Sequence, residues 1–395
     1  MSAEKDRGRI IALDGLRGVA FLLVFMVHLR LPPGSASQGS WIEHAKEFGW
    51  IGVPLFFVLS GYLITSLAIA EGRHFSLWRF HARRALRLWP LYFIATCAAL
   101  WAWQLEPLRM WRIAAAPEWA VPLVTFTLNF ALHAHWDSAG TLGALIIFWT
   151  LCIEEQFYLS WSLALTLRSR VFAAVLCLGI FVVSWLARFI LTDEPYFLFY
   201  RMQTLVGFGS IMLGCGLALF GIGPSRWSVR FSNAFSVLIF CAAAVIAYAG
   251  WPFPETSVRA ALLQGAVDAL CVALLALALY GNGALNRILR WQPLRSVGEW
   301  SYAGYVFHFA TLTFYYAAIR PRVLGGFAAD PPALALVVDA AIVLPVTLSL
   351  ASAWHRLEAP FRRARARLHA RSEQAPADTD IVPSAIEPTV DEAPR

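Results

Sequence analysis

The sequence predicts an all-α protein, a polytopic membrane helical bundle of about ten transmembrane helices. Of its 395 residues, 59% are hydrophobic and only 14% are charged, whereas a soluble domain carries about 25% charged residues. The mean hydropathy is +0.60. Apolar stretches close to the ~20 residues that cross a ~30 Å hydrocarbon layer recur along almost the whole chain. These observations predict one integral membrane domain and exclude a chain of soluble domains.

Ten segments are apolar and long enough to be spans, and all should be helices because a helix satisfies its own backbone polar groups in lipid. We place them near residues 10–31, 49–70, 88–105, 145–167, 171–192, 202–222, 233–251, 259–280, 302–319 and 333–354. The apolar stretch 119–132 is too short and proline-interrupted to span, so we expect it to be re-entrant or interfacial. The predicted organisation is an N-terminus (1–9), a transmembrane domain (10–361) and a basic, then disordered, tail (362–395).

The net charge of +7 reflects membrane topology and does not indicate a nucleic-acid partner. The arginines sit in short loops between apolar runs, and the loops assigned to the cytoplasm hold about three times as many Lys and Arg residues as the others. This bias is typical of cytoplasmic loops and predicts that both termini are cytoplasmic. The six cysteines are scattered singly in apolar segments, so we expect neither disulfides nor a thiolate metal site.

Two polar residues interrupt the first apolar run. Arg17 and His28 are eleven residues apart, about three helical turns, so they share a face roughly 16 Å apart. An arginine at that depth costs at least ~2.5 kcal/mol on insertion scales and needs a protein or water cavity. The alternative is a snorkelling arginine near one end of the helix and an interfacial histidine near the other.

A basic run follows the second span. It contains Arg83, Arg84 and Arg87 before Pro90, and the three-residue spacing of Arg84 and Arg87 puts both on one helix face. Two guanidiniums at a cytoplasmic helix end suit phosphate, because each offers a planar fork of donors. An ordinary positive-inside loop remains the alternative, since it also needs arginines.

The fourth span carries two adjacent carboxylates, Glu154 and Glu155, inside an otherwise apolar helix. They point about 100° apart, so at most one needs to face the cavity of His28 while the other pairs with an arginine. A structural ion pair is the alternative. In the ninth span Tyr302, Tyr305 and His308 form a stripe at three-residue spacing, which interfacial aromatics and one satisfied histidine would also explain.

Six motifs in this order resemble the acyltransferase-3 family, over roughly residues 10 to 361. They are the run Leu13 to Gly18 followed by His28, the run Phe56 to Tyr62, the basic run ending in Arg84, Arg87 and Pro90, the run Trp149 to Tyr158, the run Ser301 to His308, and Trp354 through Glu358 to Phe361. Cys152 stands where a serine is usual in the family, which touches no proposed reactive group.

The resemblance implies a membrane O-acyltransferase of the bacterial inner membrane. Its donor would be cytoplasmic acyl-CoA, most often acetyl-CoA, and its acceptor a hydroxyl of an extracytoplasmic glycan or glycolipid, with no bound cofactor and no metal. We assign His28 as general base. The other expected roles fall on three groups: Glu154, Glu155 and Arg17 in catalysis; Arg83, Arg84 and Arg87 on acyl-CoA; and Ser60, Trp149, Tyr158, Tyr305 and His308 in support.

A membrane transporter or flippase is the main competing interpretation, since intramembrane Arg, His and Glu residues can also line a transport path. That class predicts inverted repeats and broken helices in matching halves, and the sequence contains neither.

Overall fold

In a computed structural model, the protein is a bundle of helices, with no strand among the residues that the structure describes. The structure describes residues 10–31, 41–167, 169–190, 204–220, 237–239, 241–242, 245–246, 257–281, 283–323 and 332–373. The predicted all-α membrane bundle is therefore confirmed.

Ten long helices make up the bundle as described. They are α1 (Ile11–Val27), α2 (Gly52–Glu71), α3 (Leu77–Ala102), α4 (Trp149–Thr166), α5 (Arg170–Ile190), α6 (Thr204–Phe220), α7 (Ser257–Tyr280), α8 (Gln292–Phe314), α9 (Pro332–Leu357) and α10 (Ala359–Glu373). Short helices join them at Trp41–Glu47, Phe48–Ile51, Gly72–His74, Glu106–Met110, Pro117–Trp119, Ala120–Val124, Leu128–Ala134, Trp136–Phe148, Ala284–Leu289, Tyr315–Ile319 and Arg320–Val323.

Within the described residues, six helical stretches are long and apolar enough to cross a membrane, so the expected count of about ten is not confirmed. They are Trp41–His74, Leu77–Ala102, Trp136–Thr166, Arg170–Ala187, Ala261–Tyr280 and Ala333–Leu357. The helix Thr204–Phe220 is apolar but shorter. At 17 residues, α1 is also short and carries Asp14 and Arg17. The predicted span at 233–251 lies mostly outside the described residues.

Two helix crossings are close enough to require glycine. At the crossing of α1 and α8, a Cβ atom on Gly298 would lie 1.7 Å from the Asp14 carbonyl oxygen. At the crossing of α2 and α6, a Cβ atom on Gly214 would lie 1.9 Å from the Val58 carbonyl oxygen. Small residues let membrane helices approach in this way, where van der Waals packing drives their association. The first crossing fixes the position of Arg17, one turn beyond Asp14.

The stretch expected to be re-entrant folds into short helices that pack against α3 and α4. Trp119, Leu123 and Leu128 are buried there, and the Tyr92 hydroxyl donates to the Leu123 carbonyl oxygen at 2.8 Å. Gly143 has φ +56°, a conformation that side chains rarely adopt, and the chain turns there shortly before α4 begins. This segment therefore supports the helix that carries the two carboxylates.

Candidate active site

A cavity of about 80 Å³ lies where α1, α2, α3, α4 and α8 meet. We call it the central cavity. Polar side chains from all five helices line it: Arg17, Ser60, Arg84, Arg87, Thr150, Glu154, Tyr158, Ser301, Tyr302 and Tyr305. The rest of its wall is apolar, with Phe56 and Phe57 among the lining residues. Polar groups that would be costly in lipid are thus gathered around one shared space.

Glu154 is held from two directions inside this cavity. Ser60 donates to its Oε1 at 3.1 Å, and Tyr158, one turn further along α4, donates to its Oε2 at 2.7 Å. A carboxylate accepting a bond on each oxygen is fixed in orientation. Ser60 and Tyr158 are therefore the two groups that orient the Glu154 carboxylate.

Arg84 and Arg87 face the same cavity without a carboxylate partner. Neither has a carboxylate oxygen within 4.0 Å among the described residues. The Arg84 guanidinium instead lies over the rings of Phe80 and Tyr158, 5.7 and 5.6 Å from their centroids. Stacking leaves the edge of the guanidinium fork available to an anion.

Arg83 differs from its two neighbours. Its Nη2 lies 2.5 Å from Oε1 of Glu71, and both side chains are largely buried. Arg17 also has an acidic neighbour, with Nη1 3.7 Å from Oδ1 of Asp14. The arginines without an ion-pair partner at this site are therefore Arg84 and Arg87, not the whole basic run.

A second, wider cavity of about 640 Å³ adjoins the first. We call it the vestibule. Arg17, Arg84, Arg87 and Tyr302 line both spaces, so the two cavities are adjacent. Six arginines and three carboxylates line the vestibule: Arg17, Arg83, Arg84, Arg87, Arg362, Arg365, Asp14, Glu299 and Glu358. The vestibule is thus a positively charged entrance to the central cavity.

Sequence reasoning missed two of these arginines. Arg362 and Arg365 come from α10, in a region that the sequence analysis assigned to a basic tail. Their Arg-x-x-Arg spacing repeats that of Arg84 and Arg87. That repeat is the signal in the sequence that could have identified them.

His28 lies at the other end of α1, and it is not among the residues that line the central cavity. Its Nδ1 donates to the Val24 carbonyl oxygen at 2.7 Å. No described carboxylate oxygen lies within hydrogen-bonding distance of the ring, so neither Glu154 nor Glu155 bonds to it. The packing of α8 against this part of α1 brings the rings of His308 and Phe309 to His28, and no carboxylate.

His308 is the residue that α8 brings to His28. It is fully buried, and its Nδ1 donates to the Tyr305 carbonyl oxygen at 2.6 Å. Its Nε2 has no hydrogen-bond partner within the described chain. The Tyr305 ring, 5.3 Å from that of His308, also lines the central cavity, and its hydroxyl lies 2.7 Å from Oγ1 of Thr150. Tyr305 therefore connects the histidine pair to the cavity.

Glu155 and Trp149, two further predicted residues, also lie outside the central cavity. Glu155 lies on the α3 side of α4, beside the Trp89 indole, and its Oε1 is buried without a hydrogen-bond partner among the described residues. Trp149 lines a separate, smaller cavity with Trp50 and Gln264. Of the two adjacent carboxylates, only Glu154 is placed to act with the cavity arginines.

No group of three or more His, Cys, Asp or Glu side chains is arranged to hold a metal ion in the described ranges. The site combines a buried carboxylate with guanidiniums that lack an ion-pair partner at a wide entrance, and two imidazole rings face each other nearby. Such groups can bind an anionic ligand and move a proton inside a membrane bundle.

Residues 10–353 match the family model described as the acyltransferase domain. The chain belongs to this acyltransferase family, and the resemblance of its motifs is confirmed.

Several curated proteins are similar to this chain over about three quarters of its length. YrhL of Bacillus subtilis (strain 168) is 29% identical over 77% of this chain and 48% of its own length. The peptidoglycan O-acetyltransferase OatA of Listeria monocytogenes is 27% identical over 78% of this chain and 50% of its own. The O-acetyltransferase OatA of Staphylococcus aureus is 27% identical over 76% and 50%. This chain therefore spans about half the length of these relatives. No solved structure matches it.

Proposed function

We propose that this protein is an O-acetyltransferase that moves an acetyl group from acetyl-CoA to a hydroxyl of a glycan or glycolipid. The observation that carries the proposal is that the arginine-lined vestibule adjoins a central cavity that holds a fixed carboxylate. A polyanionic donor suits the vestibule, and its uncharged thioester arm suits the narrower, partly apolar cavity. The names of the Bacillus subtilis and Listeria monocytogenes relatives favour peptidoglycan as the acceptor.

The donor and the acceptor would enter from opposite ends of the bundle. Arg17, at the vestibule, and His28 are eleven residues apart on one helix, which corresponds to roughly 16 Å along its axis. The charge bias of the loops supports a vestibule end that faces the cytoplasm, with the protein in the cytoplasmic membrane of a bacterium. Acetyl-CoA would then remain on the cytoplasmic side while the acceptor approaches His28 from the other side.

The proposed chemistry is a direct acyl transfer. Nε2 of His28 takes the proton of the acceptor hydroxyl as its oxygen attacks the thioester carbonyl carbon. The tetrahedral intermediate collapses with cleavage of the carbon–sulfur bond, and the departing thiolate receives the proton from the imidazolium. The arginines of the central cavity bind the charged part of the donor, and Glu154 balances their charge. The thioester reaches past Tyr305, which lies between the cavity and the histidine pair.

The test is acyl transfer by the purified full-length chain in liposomes, supplied with radiolabelled acetyl-CoA and envelope glycan fragments. We expect the label on the glycan, with a mass increase of one acetyl group per modified hydroxyl. His28→Ala protein in equal amount is the matched control. If wild-type protein left acetyl-CoA intact yet moved an unmodified glycolipid across the bilayer, the transporter interpretation would replace this proposal.

A further inference from the structure

The vestibule carries a second pair of arginines on a separate helix. Arg362 and Arg365 of α10 both line it, and their three-residue spacing places them on one helix face. Arg363 and Arg367 of the same helix are exposed. Helix α10 therefore directs Arg362 and Arg365 toward the vestibule and exposes Arg363 and Arg367 on its surface.

The two vestibule pairs come in a fixed order along the path to the central cavity. Arg84 and Arg87 line both cavities, whereas Arg362 and Arg365 line the vestibule alone. A ligand that extends from the vestibule into the central cavity would pass Arg84 and Arg87 at its middle. Its far end would lie beside Arg362 and Arg365.

The second pair is short of negative charge. Oε1 of Glu358 is its acidic neighbour, 3.3 Å from Arg362 and 3.6 Å from Arg365, and it also lies 3.6 Å from Nδ1 of His355. One carboxylate cannot neutralise two guanidiniums. Burial, and after it the positive charge of Arg87, lowers the pKa of Arg365 from its ordinary value. An added anion would therefore be stabilised at this pair.

We propose that Arg362 and Arg365 bind the 3′-phosphate of the coenzyme A thioester, while Arg84 and Arg87 bind its diphosphate. This assignment rests on the proposed function. In coenzyme A the thioester is followed by the pantetheine arm, the diphosphate and then the 3′-phosphorylated ribose with its adenine. That order matches the order of the two arginine pairs, and a guanidinium fork suits either phosphate group.

The same part of the vestibule contains an unused donor. Trp354 lines it, and the indole N–H of Trp354 is buried without an acceptor in the described part of the chain. Buried donors are normally satisfied. A ring nitrogen of the adenine, or an oxygen of the 3′-phosphate, would supply the acceptor.

The experiment compares acetyl-CoA with 3′-dephospho-acetyl-CoA as donors for the full-length protein in liposomes. We expect wild type to show an apparent KM about tenfold higher for the dephospho donor, the scale of one lost hydrogen bond between charged groups. Arg365→Ala should raise the KM for acetyl-CoA by a similar factor and leave the KM for the dephospho donor unchanged. Arg363→Ala, on the exposed face of the same helix, should behave as wild type with both donors.

A second variant, Glu358→Gln, should change the KM for acetyl-CoA in the opposite direction. It keeps the assignment testable if Arg365→Ala does not fold. Glu358→Gln removes the carboxylate that competes for the pair, so it should lower the KM for acetyl-CoA and not that for the dephospho donor. Equal KM values for the two donors in wild type, or equal losses with both donors in Arg365→Ala, would overturn the assignment. Absence of transfer from either donor would reject the proposed function instead. Purified wild type should bind 3′,5′-ADP more tightly than 5′-AMP, which lacks only the 3′-phosphate, and Arg365→Ala should abolish the difference. That result would still support the phosphate site, and equal binding of the two nucleotides to wild type would overturn it.

Discussion

The imidazole rings of His28 and His308 meet edge to face, with their centroids 5.0 Å apart. Each Nδ1 lies against a backbone carbonyl oxygen of its own helix, at 2.7 and 2.6 Å respectively. A carbonyl oxygen only accepts, so each Nδ1 carries the proton and each Nε2 is left as an acceptor. Two acceptors cannot bond to each other. The pair is therefore arranged to receive a donor from outside, such as the hydroxyl of an acceptor molecule.

The first prediction concerns His28. His28→Ala should lower acetyl transfer by ~10² or more, the scale of losing a general base. The protein should still insert, because the change removes a polar group from the membrane and strands no charge. The measurement is acetylation of glycan fragments by liposomes with matched amounts of wild type and variant. Transfer within a few fold of wild type would exclude His28 as the base.

The second prediction concerns His308. His308→Phe retains an aromatic ring but removes the free Nε2, so we expect transfer to fall by ~10-fold or more with only a small loss of thermal stability. The free Nε2 has no hydrogen bond to lose, and the bond of Nδ1 to the Tyr305 carbonyl oxygen contributes about 1 kcal/mol. The neighbouring substitution Phe309→Leu is the control for ring packing around His28. A large fall in thermal stability together with activity would indicate a packing role for His308 instead.

The third prediction separates the two adjacent carboxylates. Glu154→Gln should reduce transfer by ~10-fold or more, because it removes the negative charge that balances the cavity arginines. Glu155→Gln should have a smaller effect, since Glu155 lies outside the central cavity. Steady-state transfer by the two variants, at equal protein amounts, tests the difference. A larger loss in Glu155→Gln would contradict the placement of the working carboxylate in the cavity.

Helical spacing made part of this site predictable. Arg84 and Arg87 share a face at three residues, and Tyr158 lies one turn from Glu154, so local periodicity places each set. The meeting of Glu154 with Ser60 is different, because it depends on how α2 packs against α4. The resemblance to a family placed those motifs in one site, whereas periodicity alone did not.

The partner of His28 illustrates what the sequence could not determine. Periodicity correctly placed His28 about three turns beyond Arg17, but which residues face it depends on the close crossing of α1 and α8. That crossing brings His308 and Phe309 to the ring, each with its centroid 5.0 Å away. Likewise, Arg362 and Arg365 looked like part of a charged tail, because the folding of α10 back against α3 is a long-range contact.

The fourth prediction is topological. Reporter fusions at Gly72 and at Glu373 should report the cytoplasm, and one at Gly140 the opposite side, because the excess of Lys and Arg lies in the loops that include the first two. Gly140 is exposed and a Cβ there would meet no atom within 4 Å, so the insertion should be tolerated. A cytoplasmic signal at Gly140 would contradict the assignment of the vestibule to the cytoplasmic side.

The last prediction concerns the crossing that positions Arg17. In Gly298→Ala the new Cβ would lie 1.7 Å from the Asp14 carbonyl oxygen and 3.1 Å from the Gly18 nitrogen. Both are backbone atoms, so α1 and α8 must separate, at a cost of about 1–3 kcal/mol for overpacking. We expect a lower melting temperature in fluorescence-detected gel filtration. We also expect reduced acetyl transfer in the protein that remains folded, since Arg17 and Tyr302 move apart with their helices.

The matched control is Gly265→Ala in α7, where a Cβ would meet no atom within 4 Å. There the substitution should leave the melting temperature unchanged or raise it slightly, because alanine favours a helix over glycine by about 1 kcal/mol. The two variants add the same methyl group to a glycine inside a long helix, so their difference isolates the crossing. Equal melting temperatures for Gly298→Ala and Gly265→Ala would show that α1 and α8 are not in backbone contact at Gly298, and that some other contact fixes the position of Arg17.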